Sequence, residues 1–416
     1  MRIITLLNQC YRHKGFVYKQ ARCSHTTENA IEVLVIARKN GKPRCGQCGE
    51  SCRGYDRLPE RRFEFIPVWG FQVYLRYARR RVQCPDCGVV AEQLPWGDGK
   101  NQLTHAYMLF LAHWARKLSW KEVALSFKTS WEKVFKSVEY VVTWGLAVRD
   151  LDGITAIGVD EIQWHKGHKY LTLVYQINAG CTRLLWIGKE RTEVSFRQFF
   201  DFLGKDRTAR IAFVCSDMWK PYLKVIKAEA AQALHILDRF HIVARLNKAL
   251  DAVRAAEHRR MQEDGYQPVL TKSRWLLLKR PENLTQSQEH KLSDLLKYNL
   301  KSVRAYLLKE EFQLLWEYVS PYWAGKFLDQ WCTRVMRSNI NPLKREAKTI
   351  RRHKPLILNW FRAKKAFSSG IVEGLNNKVK LTVRKSYGFR TFKCTEIALY
   401  HALGKLPEPP LAHKFY

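Results

Sequence analysis

Two C-x-x-C pairs constrain the fold of this chain more than any other feature. Cys45-Gly46-Gln47-Cys48-Gly49 is answered by Cys84-Pro85-Asp86-Cys87-Gly88, with 35 residues between Cys48 and Cys84. A two-residue gap lets both thiolates of a pair reach one ion, and the glycine after each pair permits a tight turn. Between the pairs, Phe63 to Trp69 and Gln72 to Tyr77 alternate in polarity like two strands. The spacing predicts a zinc-ribbon-like module over residues 1–95, with structural Zn2+ on Cys45, Cys48, Cys84 and Cys87. Cys10, Cys23, Cys52, Cys181, Cys215, Cys332 and Cys394 lack paired spacing and read as small core or surface residues.

The rest of the chain needs a polyanion. Across 416 residues, 72 Lys and Arg against 38 Asp and Glu leave a formal charge of +34. Hydrophobic residues at 46% and aromatics at 12% are enough for a folded core, so this is not a disordered basic tail. Basic residues recur throughout and are mixed with Trp, Tyr and Phe, which favours nucleic acid over a membrane surface. No apolar run reaches the length of a membrane span, and Asn8 and Gln9 interrupt the N-terminus too early for a secretory signal. A cytoplasmic, nucleoid-associated protein with no membrane partner is expected.

Residues 96–150 carry a helix-turn-helix pattern. Leu103 to Lys117 is amphipathic, Ser119 caps a second helix through Phe127, and a third runs from Trp131 to about Trp144. The last helix of such a motif enters the major groove, so Ser130, Lys133 and Lys136 become candidate DNA contacts.

From Gly153 the pattern turns strand-rich. Gly153 to Trp164, Tyr170 to Asn178 and Thr182 to Gly188 read as three consecutive strands, followed by a helix at Ser195 to Leu203. A strand ending before Asp217, a helix from Lys220 to Glu229 and a strand from Ala233 to Leu237 complete a mixed α/β unit over residues 151–245. This order resembles the ribonuclease-H-like fold. Residues 246–365 are helical in pattern, with Arg239 to His258, Gln286 to Lys297, Leu300 to Leu308 and Glu311 to Val319 as the clearest helices of the block. They form an all-α insertion in a multidomain α+β chain. Residues 366–406 return as closing helices of the catalytic domain, and 407–416, with Pro407-Glu408-Pro409-Pro410, reads as a frayed tail.

Three carboxylates stand out in this frame. Asp160 ends the apolar run Ile154 to Val159, and Asp217 follows Ile211 to Ser216; both runs read as buried strands. Glu373 opens a helix whose Asn377, Lys380 and Arg384 follow at i+4, i+7 and i+11, so a carboxylate and a basic stripe share one face. Carboxylates are the hard donors that hold Mg2+ or Mn2+ with positions open for water and phosphate, and divalent ions can activate one oxygen and stabilise another in phosphodiester chemistry. Lys378, Lys380, Arg384, Lys385 and Arg390 follow Glu373 and read as phosphate contacts, against the alternative of a solvated basic face. Trp219 either stacks on a base or roofs the core. Glu161, Asp206, Glu229 and Glu396 are rival acids without a strand-end position.

Several segments carry a family resemblance. Gly158-Val159-Asp160-Glu161, Cys215-Ser216-Asp217-Met218-Trp219, Leu237-Asp238-Arg239-Phe240-His241-Ile242-Val243, Val372-Glu373-Gly374-Leu375-Asn376-Asn377-Lys378 and Tyr387-Gly388-Phe389-Arg390 resemble the DDE transposases of bacterial insertion sequences, specifically the ISL-three family. The paired zinc knuckles and the helix-turn-helix match as well. The resemblance implies that Asp160, Asp217 and Glu373 are catalytic ligands of Mg2+ or Mn2+. Asp238 and His241 are similar to a C/D-x-x-H signature with a supporting catalytic role; read from the residues alone, they are equally a helix cap and a core histidine. It further implies binding of terminal inverted repeats, strand cleavage, strand transfer into target DNA, and a homodimer or higher homo-oligomer to hold two ends. A nuclease or resolvase without strand transfer, and a transposase-derived DNA-binding regulator, remain the alternatives.

Overall fold

In the computed structural model the described residues are 2–25, 27–165, 167, 169–266, 269–365, 370–386 and 388–410. They form two compact units, 1–150 with 379–416, and 151–378.

The first unit opens with α1 (Ile3–Cys10) and a five-stranded sheet: β1 (Phe16–Cys23), β2 (Ala30–Ala37), β3 (Arg53–Val68), β4 (Phe71–Cys84) and β5 (Gly88–Ala91). The order is β1-β2-β4-β3 with β5 also on β4, and β2 runs parallel to β4 while the other pairs are antiparallel. Between β3 and β4, Trp69 and Gly70 take φ of 51° and 80°, the two left-handed positions of a tight hairpin turn. The long hairpin brings the second cysteine pair, at the end of β4, back beside the first.

Three helices follow in this unit, α2 (His105–Lys117), α3 (Trp120–Ser126) and α4 (Trp131–Val148). Each has its own start signal. The Thr104 side chain accepts from the Tyr107 N–H, Ser119 and Glu122 form a reciprocal capping box, and Ser130 accepts from the Lys133 N–H; such caps are each worth about 1 kcal/mol. The segment 407–410, expected to fray, is held here: Pro409 is buried and Glu408 pairs with Arg116 at 2.6 Å. Gly145 on α4 makes room for it, since a Cβ there would lie 2.7 Å from the Pro407 carbonyl oxygen.

The second unit is built on β6 (Ala156–His165), β7 (Lys169–Asn178), β8 (Cys181–Lys189), then α5 (Glu193–Leu203), α6 (Lys205–Ala209), β9 (Phe213–Ser216), α7 (Lys220–Glu229) and β10 (Leu234–Leu237). The sheet order is β10-β9-β6-β7-β8. The first three strands in sequence are an antiparallel meander, and β9 and β10 add in parallel beside β6. Parallel neighbours need crossovers, and α5 with α6 and then α7 supply them. Phe196 and Phe199 of α5 and Tyr222 and Val225 of α7 cover Ile157, Val159 and Val214 on one face. Burying each side chain is worth about 1.5–3 kcal/mol.

The helical block holds α8 (Arg239–Glu263), α9 (Arg274–Leu278), α10 (Gln286–Leu296), α11 (Lys301–Gln313), α12 (Pro321–Arg337) and α13 (Asn341–Arg362). The break expected between Leu308 and Glu311 is absent, and α11 runs through it. Lys309 is buried there, its Nζ donating to the Leu277 carbonyl at 3.2 Å and pairing with Glu310, so the polar step lies inside the packing rather than in a loop. The block is tied to the sheet where the Asn359 amide of α13 donates to the His235 carbonyl of β10 at 2.7 Å. The remaining helices are α14 (Gly370–Lys385), which contributes to both units, and α15 (Phe392–Leu403), which packs on α4.

Candidate active site and metal centre

The four paired cysteines meet as their spacing predicts. The Sγ atoms of Cys45, Cys48, Cys84 and Cys87 all lie within 4.8 Å of one another, and those of Cys48 and Cys84 are 3.6 Å apart. Zn–S bonds of about 2.3 Å at tetrahedral angles place sulfurs about 3.8 Å apart, so the thiol set fits a structural zinc ion. Cys52 is buried against this cluster and donates to the Glu50 carbonyl at 3.4 Å.

The acidic residues gather differently. Gly158 of β6 pairs with Cys215 of β9 in the last pair of their parallel register; two residues on, Asp160 stands within β6 and Asp217 just past the end of β9. Alternation along β6 turns Gly158 and Asp160 to one face and Val159 and Glu161 to the other. α14 lies on the first face: a Cβ on Gly158 would stand 2.5 Å from Val372 Cγ2, so glycine is what permits the approach. Three residues after Glu373, Asn376 is buried there. Its Nδ2 donates to Asp160 Oδ2 at 2.5 Å, and its Oδ1 accepts from the Tyr175 hydroxyl at 2.6 Å. A carboxylate takes only donors, so Asp160 fixes which end of the amide faces it and leaves the other end for the fully buried Tyr175.

On the other face, Arg191 holds Glu161 at 2.8 Å and Asp217 at 3.3 Å while its guanidinium lies 4.2 Å from the Trp219 ring centre. Burial, with Asp217 next, pushes the Glu161 carboxyl up to about 7; its Oε2 is buried without a hydrogen-bond partner. Asp217 is also raised, by burial, against the Trp219 N–H that donates to Oδ1 at 2.9 Å. Asp238 caps α8, accepting from the Phe240 N–H at 2.7 Å. His241, one turn on, lies 3.9 Å from Asp160 and 3.7 Å from Asp238, and its imidazole is raised to about 9, chiefly by Asp160. Four carboxylates therefore share two cationic partners, Arg191 and His241.

The expected site residues separate into three groups. Asp160, Asp217, Asp238 and His241 stand together, and Glu161, set aside as a rival acid, joins them through Arg191. Glu373 is exposed one turn before Asn376; among the described residues, the cysteine cluster is the one group of potential ligands gathered within 4.8 Å, so the donor atoms of Asp160, Asp217 and Glu373 are not. Trp219 is half-buried, edge-on to Tyr222 and against the core.

Among the basic candidates, Lys133 is paired with Glu64, and Ser130 is spent on its cap. Lys136, Lys378, Lys380 and Arg390 are exposed, Arg384 is half-buried, and Lys385 donates to the Arg116 carbonyl at 3.3 Å. Tyr387 of the sequence motifs lies outside the described residues. Arg191 and Tyr175 were not legible as site residues; Asn376 stood in the quoted Val372 to Lys378 segment, without a role of its own.

Comparison with known proteins decides the family. A family model described as a transposase matches residues 157–399, and one described as the zinc-finger of transposases of IS204, IS1001, IS1096 and IS1165 matches residues 41–87. This chain belongs to the ISL-three family of DDE transposases. It is 30% identical to the transposase for insertion sequence element IS1001 of Bordetella parapertussis, over 83% of this chain and 85% of that protein. It is 29% identical to the transposase for insertion sequence element IS1557 of Mycobacterium tuberculosis, over 89% of this chain and 88% of that protein. No helix among the described residues is long and apolar enough to cross a membrane.

Proposed function

We propose that this protein is the transposase of an insertion sequence, binding its terminal inverted repeats, cutting the strands and joining the freed ends to target DNA. What supports this reading is Asp160 within β6 and Asp217 just past the end of the neighbouring parallel strand β9, with the Glu373 helix fastened to Asp160 through Asn376. The strand order β10-β9-β6-β7-β8, with three antiparallel strands followed by two parallel ones, supports the ribonuclease-H-like reading of this unit.

Asp160, Asp217 and Glu373 would hold the divalent Mg2+ or Mn2+. The donors suit it: they are hard oxygens, and the acid cluster has more carboxylates than cations. When bound, such an ion supplies Lewis-acid stabilisation of the developing phosphate charge and lowers the pKa of a nucleophilic water. The protein's part is orientation. Asn376 fixes the rotamer of Asp160, and Tyr175 fixes Asn376. His241 faces Asp160 at 3.9 Å, with Asp238 holding it as part of the α8 start. Arg191 keeps Glu161 and Asp217 from repelling one another. One such site serves both steps because only the nucleophile changes, from water to a 3′-hydroxyl.

Helices α2, α3 and α4 are read as the helix-turn-helix, with Lys136 and Ser130 at the start of the recognition helix. Lys378, Lys380, Arg384, Lys385 and Arg390 are read as phosphate contacts following Glu373, and a homodimer as the smallest assembly that holds two ends. The test incubates the protein and Mg2+ with linear DNA carrying both element ends and a supercoiled target. Joined products are expected; nicked ends without joined products would favour the nuclease reading, and binding without nicks the regulator.

A further inference from the structure

The first unit carries a basic cleft that none of the expected DNA contacts touches. We propose that it is a second DNA-binding surface, which grips the phosphate backbone of duplex DNA without reading its bases. The assignment rests on the proposed transposase function and extends it to a new surface.

The cleft encloses about 900 Å³ between the turn at His13 to Phe16, the turn at Arg38 to Arg44, and Arg80. Arg12, Lys14, Arg38, Lys42 and Arg44 stand exposed around it. None of the five makes an ion pair among the described residues, whereas several basic side chains elsewhere in the unit do. Glu32 takes Arg22, Arg62 and Arg76; Asp56 takes Arg81; Glu64 takes Lys133; Glu139 takes Lys393. The one acid lining the cleft, Glu92, is fully buried and already accepts from Tyr77 and Arg80. Five uncompensated cations on one concave surface repel one another in the free protein, and an anion relieves that repulsion.

The walls are also held in place. The Arg38 N–H donates to the Gly15 carbonyl at 2.9 Å, and Gly41 sits so close that a Cβ would lie 3.1 Å from the same oxygen. Gly15 takes φ of 86°, the left-handed turn that presents this carbonyl. Arg80, fixed by Glu92, donates to the Gly41 carbonyl at 3.0 Å. Lys42 and Arg44 lead directly into the cysteine cluster, where the Cys52 N–H donates to the Pro43 carbonyl at 3.0 Å and the Gln93 N–H to that of Arg44 at 2.8 Å. The zinc module therefore sets the shape of the cleft.

The ligand class follows from where the charges are. The five cationic side chains are at the rim and in water, not buried inside, which suits an extended polyanion crossing the opening rather than a small anion enclosed within it. Lys and Arg heads without a groove-entering helix or strand make backbone contacts, which position DNA and carry no sequence information.

The test uses the full-length, zinc-loaded protein with Lys14→Gln, Arg38→Gln and Lys42→Gln combined, and a charge-matched control with Lys291→Gln, Arg304→Gln and Lys348→Gln. Fluorescence anisotropy over a KCl series follows binding to a duplex carrying the element end and to a scrambled duplex of equal length. Loss of three phosphate contacts should flatten the slope of log affinity against log salt by about 2.7, equally on both duplexes, so that the end-to-scrambled ratio is kept. The control should move the slope much less. An unchanged slope in the cleft variant overturns the proposal, as does an equal drop in the control or a loss confined to the element end. If the parent protein binds neither duplex, the transposase reading falls as well, which separates the two failures.

Discussion

The cysteine cluster and the acidic cluster are both candidate metal sites, yet they are built in opposite ways. The thiols come from two short pairs joined by one hairpin, and all four donors are already within reach of one ion. The carboxylates proposed as ligands come from β6, from just past β9 and from α14, separated by more than two hundred residues; strand register sets β6 beside β9, and one buried amide ties α14 to Asp160. A closed thiolate site is part of the fold itself; an open carboxylate site is a surface the fold presents. Metal removal should therefore unfold one region and only silence the other.

The largest effect is expected at the thiols. Cys84→Ser leaves three ligands and should remove zinc and the order of the first module, since structural zinc binding is itself folding free energy. Zinc content and thermal melting report this. A folded variant with no zinc would show that the sheet, not the ion, holds the module. By contrast, withholding Mg2+ should leave the melting temperature almost unmoved while cleavage stops.

A smaller and more selective effect is expected at Asn376. Asn376→Leu keeps the packing volume but frees Asp160 and loosens the Glu373 helix, which should lower cleavage about 10- to 100-fold with end binding retained. Tyr175→Phe removes only the second bond of the chain and should cost less. Equal rates in Asn376→Leu and the parent would mean that α14 is positioned by Val372 and Gly158 alone.

The smallest effect reaches both regions alike. Burial lowers His13 and His235 to about 4 and His401 to about 3. Each is a base whose folded pKa is depressed, so through these three the unfolded chain binds more protons below about 6.5 and stability falls as pH drops from there toward 4, opposed in part by Glu161, whose raised carboxyl takes its proton first in the folded chain. Urea unfolding at a series of pH values checks this; a midpoint that rises on acidification would contradict it.

Legibility followed the same division. Spacing alone was enough for Cys45, Cys48, Cys84 and Cys87, because a local pattern makes a local site. The strands that lead to Asp160 and Asp217 were legible as apolar runs, each followed by an acid. Arg191 was not, because a lone arginine two residues beyond a strand has no pattern of its own; it matters only once β6 and β9 lie beside it. Glu161 was set aside for sitting inside a strand, yet alternation puts it on the Arg191 face. The pairing of Lys133, an expected groove contact, with Glu64 was not legible, because Glu64 lies on β3, far away in sequence.

The account rests most directly on Glu373, the exposed member of the three carboxylates. The decisive measurement is a gel assay on DNA carrying the element ends with Mg2+, scored separately for binding, nicking and joining, with Glu373→Gln beside Asp160→Asn and Asp217→Asn. All three variants should bind the ends like the parent and neither nick nor join. If Glu373→Gln nicked and joined at the parental rate, Glu373 would not be the third ligand, and the reading of Asp160, Asp217 and Glu373 as one site would be wrong.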